Sequence, residues 1–118
     1  MIANRSSEKK TLEDIELENK IIEVRPEILH PNRFMILNSL YRYEALDFAV
    51  LKKITHAKSD GHLASHIKAL EKLKVITHEK ENLEGKRRTY YMFTKPGREE
   101  FKTLTRILSA SLKGIENV

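Results

Sequence analysis

Small polar and cationic side chains that could bind a polyphosphate are concentrated between residues 59 and 94. A segment beginning at Ser59 carries short residues and lysines, and three consecutive cations, Lys86, Arg87 and Arg88, follow further along. Lysine and arginine bind phosphate oxygens without reading a base sequence, whereas short side chains let a helix backbone approach the edges of the bases. This segment therefore favours the binding of a nucleic-acid duplex, with a helix in a groove and a cationic hairpin on the backbone.

The net charge of +5 is distributed unevenly along the 118 residues. Residues 1–51 hold 7 basic and 9 acidic side chains, residues 52–91 hold 10 and 5, and residues 92–118 hold 5 and 3. A basic surface attracts and steers polyphosphate, although basic proteins that bind no nucleic acid are also common. The surplus lies in the middle and C-terminal parts of the chain, where the duplex-binding segment also lies.

Two histidines, His62 and His66, are four residues apart, a spacing that can chelate a metal ion on one helix. Two ligands do not make a site, and no spacing points to His30, His56 or His78 as a third. His62 is better explained as a hydrogen-bonding partner of a base or phosphate, and His66 as a half-buried, hydrogen-bonded side chain. We therefore expect no metal site.

Composition argues against catalysis and against a membrane protein. The chain has no cysteine, no glycine-rich phosphate loop, no HExxH motif and no evident arrangement of serine, histidine and acid, with 4 glycines in all. No apolar run approaches the length of a membrane span, and the N-terminus lacks an apolar signal core. We expect a single-domain cytoplasmic protein that is not an enzyme and has no cofactor.

The N-terminal third predicts a polar tail followed by two helices. Residues 1–8 show no periodicity, whereas residues 9–25 are dense in Glu and Lys and predict a helix, which Pro26 kinks or restarts. Pro31 suits the first turn of a second helix that ends near Tyr43. The apolar stripe of the first helix comprises Leu17, Ile21, Val24 and Ile28.

A very short strand over residues 45–48 and a short helix over 49–55 are expected next. Ser59 or Asp60 then caps a helix over residues 60–72, with Leu63, Ile67 and Leu70 on its apolar stripe. The opposite face carries Gly61, Ser65, Lys68, Ala69 and Lys72, with His62 on one shoulder. The residues expected to point inward from the short helix are Val50, Leu51 and Ile54.

The C-terminal part predicts a hairpin and a long helix. Residues 75–81 and 87–93 are rich in β-branched and aromatic side chains, around a turn over residues 82–86 in which Gly85 supplies the permissive backbone. Thr94, with Pro96 two residues later, caps the last helix. Its apolar stripe comprises Phe101, Leu104, Leu108, Leu112 and Ile115.

Five segments of the chain resemble, in the same order, the signatures of winged-helix transcriptional regulators of the broad MarR/ArsR kind. They are HPNRFMIL at 30–37, DFAVL at 47–51, SDGHLASHIKALE at 59–71, RTYY at 88–91 and FTKPGR at 93–98. The likeness is greatest to small archaeal and bacterial members and covers residues 28–105. It implies a mainly α fold with a small β-hairpin (α+β), a winged helix-turn-helix with extra N- and C-terminal helices.

The resemblance implies that residues 60–72 form the recognition helix, in the major groove of double-stranded DNA, and that residues 78–91 form a wing on the backbone or minor groove. Arg33 falls at a position that braces the fold, and Arg88 has the alternative of pairing with an acid of the body. The DNA contacts carried over by position are Ser59, Gly61, His62, Ser65, Lys68, Ala69 and Lys72, with Lys86, Arg87 and Arg88 at the wing tip.

The resemblance and the two terminal stripes together favour a homodimer, with residues 1–27 and 95–118 as dimerisation helices around a core of residues 28–94. The dimerisation residues would be Leu17, Ile21, Val24, Phe101, Leu104, Leu108, Leu112 and Ile115. The favoured function is that of a sequence-specific regulator of transcription, which represses by occluding the DNA it binds. Two alternatives remain: a winged helix used for protein interaction, and an effector-responsive regulator with its ligand in the dimer cleft.

Overall fold

The computed structural model of the chain describes residues 11–13, 15 and 25–116, except the side chains of residues 114 and 116. Residues 25–116 hold a 3₁₀ turn, four α-helices and three strands, which confirms the predicted fold class. The helices are α1 (Pro31–Tyr43), α2 (Phe48–Thr55), α3 (Asp60–Lys72) and α4 (Lys95–Glu116), and the strands are β1 (Ala45–Asp47), β2 (Ile76–Leu83) and β3 (Lys86–Phe93).

Most of the predicted N-terminal segment lies outside the described residues. This applies to the tail over residues 1–8 and to Leu17, Ile21 and Val24 of the first stripe. Residues 12, 13 and 15 are helical.

Helix α1 has the bounds that the sequence predicts. Pro31 occupies its first position, where an amide hydrogen would have no partner within the helix. His30 is the N-cap, and its Nδ1 accepts a hydrogen bond from the backbone N–H of Asn32 at 3.2 Å. The buried residues of α1 are Ile36, Leu37, Ser39 and Leu40.

The 3₁₀ turn Pro26–Leu29 lies before α1 and buries Ile28 completely. Arg25, just ahead of the turn, donates through Nε and Nη2 to the carboxylate of Glu100 at 2.9 and 2.6 Å, and through Nη1 to the carbonyl oxygen of Leu73 at 2.9 Å. This guanidinium therefore joins the start of the described body to α4 and to the end of α3.

Helix α2 begins one residue earlier than predicted because the carboxylate of Asp47 caps it, accepting from the backbone N–H of Val50 at 2.9 Å. Leu51 is fully buried and Ile54 is partly buried. Val50, however, is 41% exposed, so the expectation that it points inward is wrong. Adjacent residues of a helix point about 100° apart, so the buried Leu51 turns its neighbour Val50 away from the core. Thr55, one turn after Leu51, is buried on the same side as Leu51.

Helix α3 is capped by Ser59 rather than Asp60: the Ser59 hydroxyl accepts from the backbone N–H of His62 at 3.0 Å. The predicted stripe is confirmed, since Leu63, Ile67 and Leu70 are buried. This stripe faces the core and directs the rest of the α3 surface outward.

The sheet is antiparallel with the strand order β1-β3-β2. The predicted five-residue turn of the hairpin is wrong, because pairing continues to Leu83 and Lys86 and leaves only Glu84 and Gly85 between the strands. Both residues have positive φ, 52° and 76°, as in the two-residue turns that match the right-handed twist of paired strands. Glycine adopts such a φ readily, whereas glutamate rarely does.

Helix α4 begins as predicted, with the Thr94 hydroxyl accepting from the backbone N–H of Gly97 at 3.0 Å. Gly97 is buried against the backbone of Val75: a Cβ at Gly97 would lie 2.6 Å from the carbonyl carbon of Val75 and 2.7 Å from its Cα. Only a residue without a side chain allows α4 to pass so close to the start of β2.

The first half of the α4 stripe belongs to the core of the chain itself. Phe101 is 1% exposed and Leu104 is fully buried, and the ring of Phe101 lies among those of Phe34, Tyr41 and Phe93 at centroid distances of 5.3 to 5.9 Å. In the single chain these two side chains therefore pack in its own core, and the dimerisation role expected of them stays a prediction. No helix among the described residues is long and apolar enough to cross a membrane.

Candidate nucleic-acid interface

The face of α3 opposite its buried stripe is open to solvent. A Cβ added at Gly61 would meet no atom within 4 Å, so the first turn of α3 is open to a close approach. Two of the predicted contact residues, His62 and Ala69, are half-buried at the margins of this face. The exposed ones are Ser59, Gly61, Ser65, Lys68 and Lys72. The helix thus presents short side chains in its N-terminal half and two lysines in its C-terminal half.

A shallow groove borders the C-terminal end of this face and accounts for the partial burial of Ala69. Ala69 and Lys72 line it together with Glu27, Arg33 and Leu73. The groove joins the 3₁₀ turn and α1 to the recognition-helix candidate.

Two consecutive residues of α1 hold two histidines that lie one turn apart on α3. Asn32 Nδ2 lies 2.9 Å from His62 Nε2, and Arg33 Nε donates to His66 Nδ1 at 3.1 Å. Arg33 is itself held by Nη1, which donates to the carbonyl oxygen of Glu27 at 3.0 Å. We call Asn32, Arg33, His62 and His66 the α1–α3 clamp. The bracing role expected for Arg33 is the one it has here.

His66 is the buried member of the clamp, at 8% exposure. Its ring centroid lies 4.5 Å from that of His30 and 4.7 Å from that of His62. Burial lowers the pKa of His66, and the neighbouring His30, Arg33 and His62 lower it further. The ring is therefore neutral at neutral pH and free to accept from Arg33. Among the described residues no group of three potential ligands could hold a metal ion.

The wing tip carries Lys86 and Arg87, both exposed, whose side chains make no hydrogen bond or ion pair within the part of the chain that the structure describes. Arg88 differs, because its Nη1 lies 3.2 Å from Asp47 Oδ2 of β1. The alternative that Arg88 pairs with an acid of the body is confirmed, and its contact with DNA stays a prediction. Arg88 connects the wing to the body.

Acidic residues lie along the same hairpin. Glu79 and Glu81 of β2 are exposed, as is Glu84 in the turn. At the base of the wing, His78 Nδ1 lies 2.6 Å from Glu71 Oε2, which ties β2 to α3. Three consecutive cations open β3, whereas β2 carries a single exposed lysine, Lys80, between these glutamates.

The distal half of α4 leaves apolar side chains in solvent. Leu108 is partly buried, whereas Leu112 is 46% and Ile115 is 67% exposed. In the N-terminal helical residues, Leu12 is 79% and Ile15 is 42% exposed. The apolar stripe of α4 is thus buried in the N-terminal half of the helix and exposed in the C-terminal half.

Sequence reasoning missed two residues that organise this region, Asn32 and Asp47. Asp47 could have been found, since an aspartate three residues before Val50 at a strand–helix boundary is a capping signal. Asn32 carries no such signal, because its partner His62 is thirty residues away in the sequence.

A family model described as a winged helix DNA-binding domain matches residues 32–112. The structure is similar to a transcriptional regulator homologue from Pyrococcus horikoshii OT3, with a TM-score of 0.74 and 26% identity over 85% of this chain and 97% of that one. It is also similar to MarR-family regulators from Enterococcus faecalis V583 (TM-score 0.67, 14% identity, 98% and 96% covered) and Silicibacter pomeroyi (0.60, 17%, 90% and 84%). No curated protein shows a significant match.

The family model covers more than half of the chain, and the order of elements in the structure is that of the matched fold. The resemblance inferred from the five sequence segments is thereby confirmed. The chain belongs to the family of winged helix DNA-binding domains.

Proposed function

We propose that the protein is a dimeric, sequence-specific regulator of transcription that places α3 in the major groove and the wing, residues 78–91, on the DNA backbone or minor groove, and that it represses by occlusion. The observation that carries this proposal is the exposed outer face of α3, where the short Gly61 and Ser65 precede Lys68 and Lys72. The major groove admits an α-helix and presents a distinct pattern of donors and acceptors for each base pair.

The side chains on the outer face of α3 fall into two groups, those suited to base edges and those suited to phosphates. Gly61, Ser65 and Ala69 are short enough for the backbone of α3 to approach base edges, and the serine hydroxyl both donates and accepts hydrogen bonds. Lys68 and Lys72 carry a charge on a long flexible side chain, which suits phosphate oxygens that are the same for every sequence.

The wing supports the second contact. Lys86 and Arg87 have no partner among the described residues, so their charges are available to phosphates, whereas Arg88 and Asp47 hold β3 against β1. Removing a lysine–phosphate contact lowers the salt slope of binding by about one unit.

Dimerisation is supported by the exposed apolar side chains of distal α4, Leu112 and Ile115, with Leu108 beside them. Such a stripe on the surface of a small domain is a candidate for contact with a second copy. Two copies related by a two-fold axis would present their α3 helices to half-sites about one duplex turn apart.

Selection from random duplexes with the full chain tests the specificity. We expect an enriched site with two inverted halves. Equal recovery of all sequences would overturn the proposal of sequence-specific binding, and a single half-site would overturn two-fold binding.

The wing is tested by the salt dependence of affinity for one duplex. The double variant Lys86→Ala/Arg87→Ala should bind every duplex more weakly, with a salt slope smaller by roughly two units per protomer. The control Lys102→Ala/Arg106→Ala removes the same charge from exposed positions of α4. An equal loss in both variants would show that only net charge matters.

Sedimentation equilibrium tests the dimer. Leu112→Glu/Ile115→Glu should give a monomer without unfolding, because both side chains are exposed in the single chain. The matched control Ser109→Glu/Ala110→Glu places the same charges on exposed positions of the same helix outside the stripe and should remain dimeric. A wild-type chain that is monomeric at high micromolar concentration would refute the assignment.

A further inference from the structure

The contact between Asn32 and His62 determines where the proton of His62 lies. The Asn32 amide nitrogen faces His62 Nε2 at 2.9 Å, and an amide –NH₂ group can only donate. Nε2 must therefore accept, and a neutral imidazole that accepts at Nε2 carries its proton on Nδ1. In the part of the chain that the structure describes, Nδ1 of His62 has no hydrogen-bond partner.

The ring of His62 is also fixed in place by its surroundings. It packs edge to face with the ring of His66, at a centroid distance of 4.7 Å and an interplanar angle of 85°, and its backbone N–H donates to the Ser59 hydroxyl. Arg33 holds His66 from the other side. A side chain already held in one rotamer loses little conformational entropy when it binds a partner.

His62 lies on the shoulder of α3, next to the outer face that the proposed function places in the major groove. In that groove a donor can bind guanine N7 or O6, adenine N7 or thymine O4, but meets only another donor at cytosine N4 or adenine N6. The identity of the protonated ring nitrogen therefore decides which bases the ring can contact.

We propose that Asn32 is a specificity-determining positioning residue: it holds His62 as the Nδ1–H tautomer, so that the ring donates to, and never accepts from, the DNA it contacts. Asn32 itself lies on α1 and acts through His62. The specificity role rests on the proposed entry of α3 into the major groove, whereas the tautomer of His62 is a property of the free protein.

The tautomer is measured without DNA, by long-range ¹H–¹⁵N correlation of the imidazole nitrogens in uniformly labelled protein. The wild type should show His62 with a protonated Nδ1 and an unprotonated Nε2. In Asn32→Asp the facing carboxylate can only accept, so Nε2 should become protonated. The control Asn38→Asp makes the same substitution elsewhere on α1 and should leave the His62 signals unchanged. An Nε2-protonated ring in the wild type, or unchanged His62 signals in Asn32→Asp, overturns the inference.

Random-site selection with the same variants tests the consequence for recognition. Asn32→Asp and His62→Ala should each lose preference at the same base position, by about fivefold, and the double variant should match His62→Ala. Asn38→Asp should select the wild-type site. If the wild type selects a site and Asn32→Asp selects the identical one with the same preference, the specificity role is refuted. If the wild type selects nothing, the proposed function fails instead, and the spectra still decide the tautomer.

Discussion

The close approach of α4 to β2 at Gly97 allows a demanding test of the fold. In Gly97→Ala the new methyl carbon would lie 2.6 and 2.7 Å from two backbone atoms of Val75, whereas carbon atoms pack best at roughly 3.5–4.0 Å. The obstruction is backbone of a fully buried residue, not the end of a flexible side chain. The carbonyl oxygen of Val75 obstructs the methyl group as well, so relief requires α4 to move away from β2, which would disturb the packing of Phe101 and Leu104 behind it.

We expect Gly97→Ala to lower the free energy of unfolding by about 3 kcal/mol, at the upper end of the cost of overpacking a core. For a domain of this size that corresponds to a fall in Tm of roughly 12 °C. Urea unfolding followed by far-UV circular dichroism measures the first quantity, and a thermal melt measures the second. The m-value should remain close to that of the wild type, because the same surface is exposed on unfolding.

Gly61→Ala is the matched control, since a Cβ there meets no atom within 4 Å. Because alanine favours a helix over glycine, its stability should equal the wild type or exceed it by up to about 1 kcal/mol. If Gly97→Ala unfolds within about 0.5 kcal/mol of the wild type, the reasoning from this contact is refuted. Gly61→Ala has a separate use, because it adds a methyl group to the proposed groove face and should change the selected DNA sequence without loss of stability.

Three further outcomes follow from single contacts. Asp47→Ala should lower the free energy of unfolding in urea by about 1.5 kcal/mol, because it removes a helix cap. Arg88→Ala removes only an exposed ion pair and should lower it by less than about 0.5 kcal/mol. Equal losses in the two variants would contradict this. Burial lowers the pKa of His66 below its ordinary 6.5, so the unfolded chain binds more protons than the folded chain at mildly acidic pH. The free energy of unfolding should therefore be greatest above about pH 6.5 and fall below it. Urea denaturation at a series of pH values measures this fall, which His66→Gln should reduce. Glu100→Gln should cost about 1 kcal/mol at low salt and less at high salt, because it removes the charge of the partly exposed Arg25–Glu100 pair; a salt-independent loss would show that charge contributes little.

Local signals explain why most elements could be predicted. Pro31, Ser59 and Thr94 mark helix starts through chemistry that acts within three residues, and the buried stripe of α3 follows directly from its helical period. The hairpin was visible in the β-branched and aromatic runs. Its turn was not, because the register of the two strands places a glutamate in a conformation that glutamate rarely adopts.

The candidate site likewise has features that the sequence predicts and features that depend on the tertiary structure. Residue type and spacing alone predict that Lys68, Lys72 and the wing cations belong to one duplex-binding segment, which stays a prediction. That Arg88 anchors the wing, while Lys86 and Arg87 stay without partners in the described part of the chain, depends on Asp47, forty-one residues away.

The sequence by itself determined the order of elements, the inward face of α3 and the family, because caps, periodicity and motif order are local properties of the chain. Only the tertiary structure decided that Phe101 and Leu104 belong to the core while Leu112 and Ile115 remain exposed, since one helical stripe looks the same whether the body covers it or not. It alone also brought Asn32 and Arg33 onto His62 and His66. Such contacts join helices distant in sequence, and their hydrogen-bond geometry exists only once the core has fixed how α1 and α3 pack.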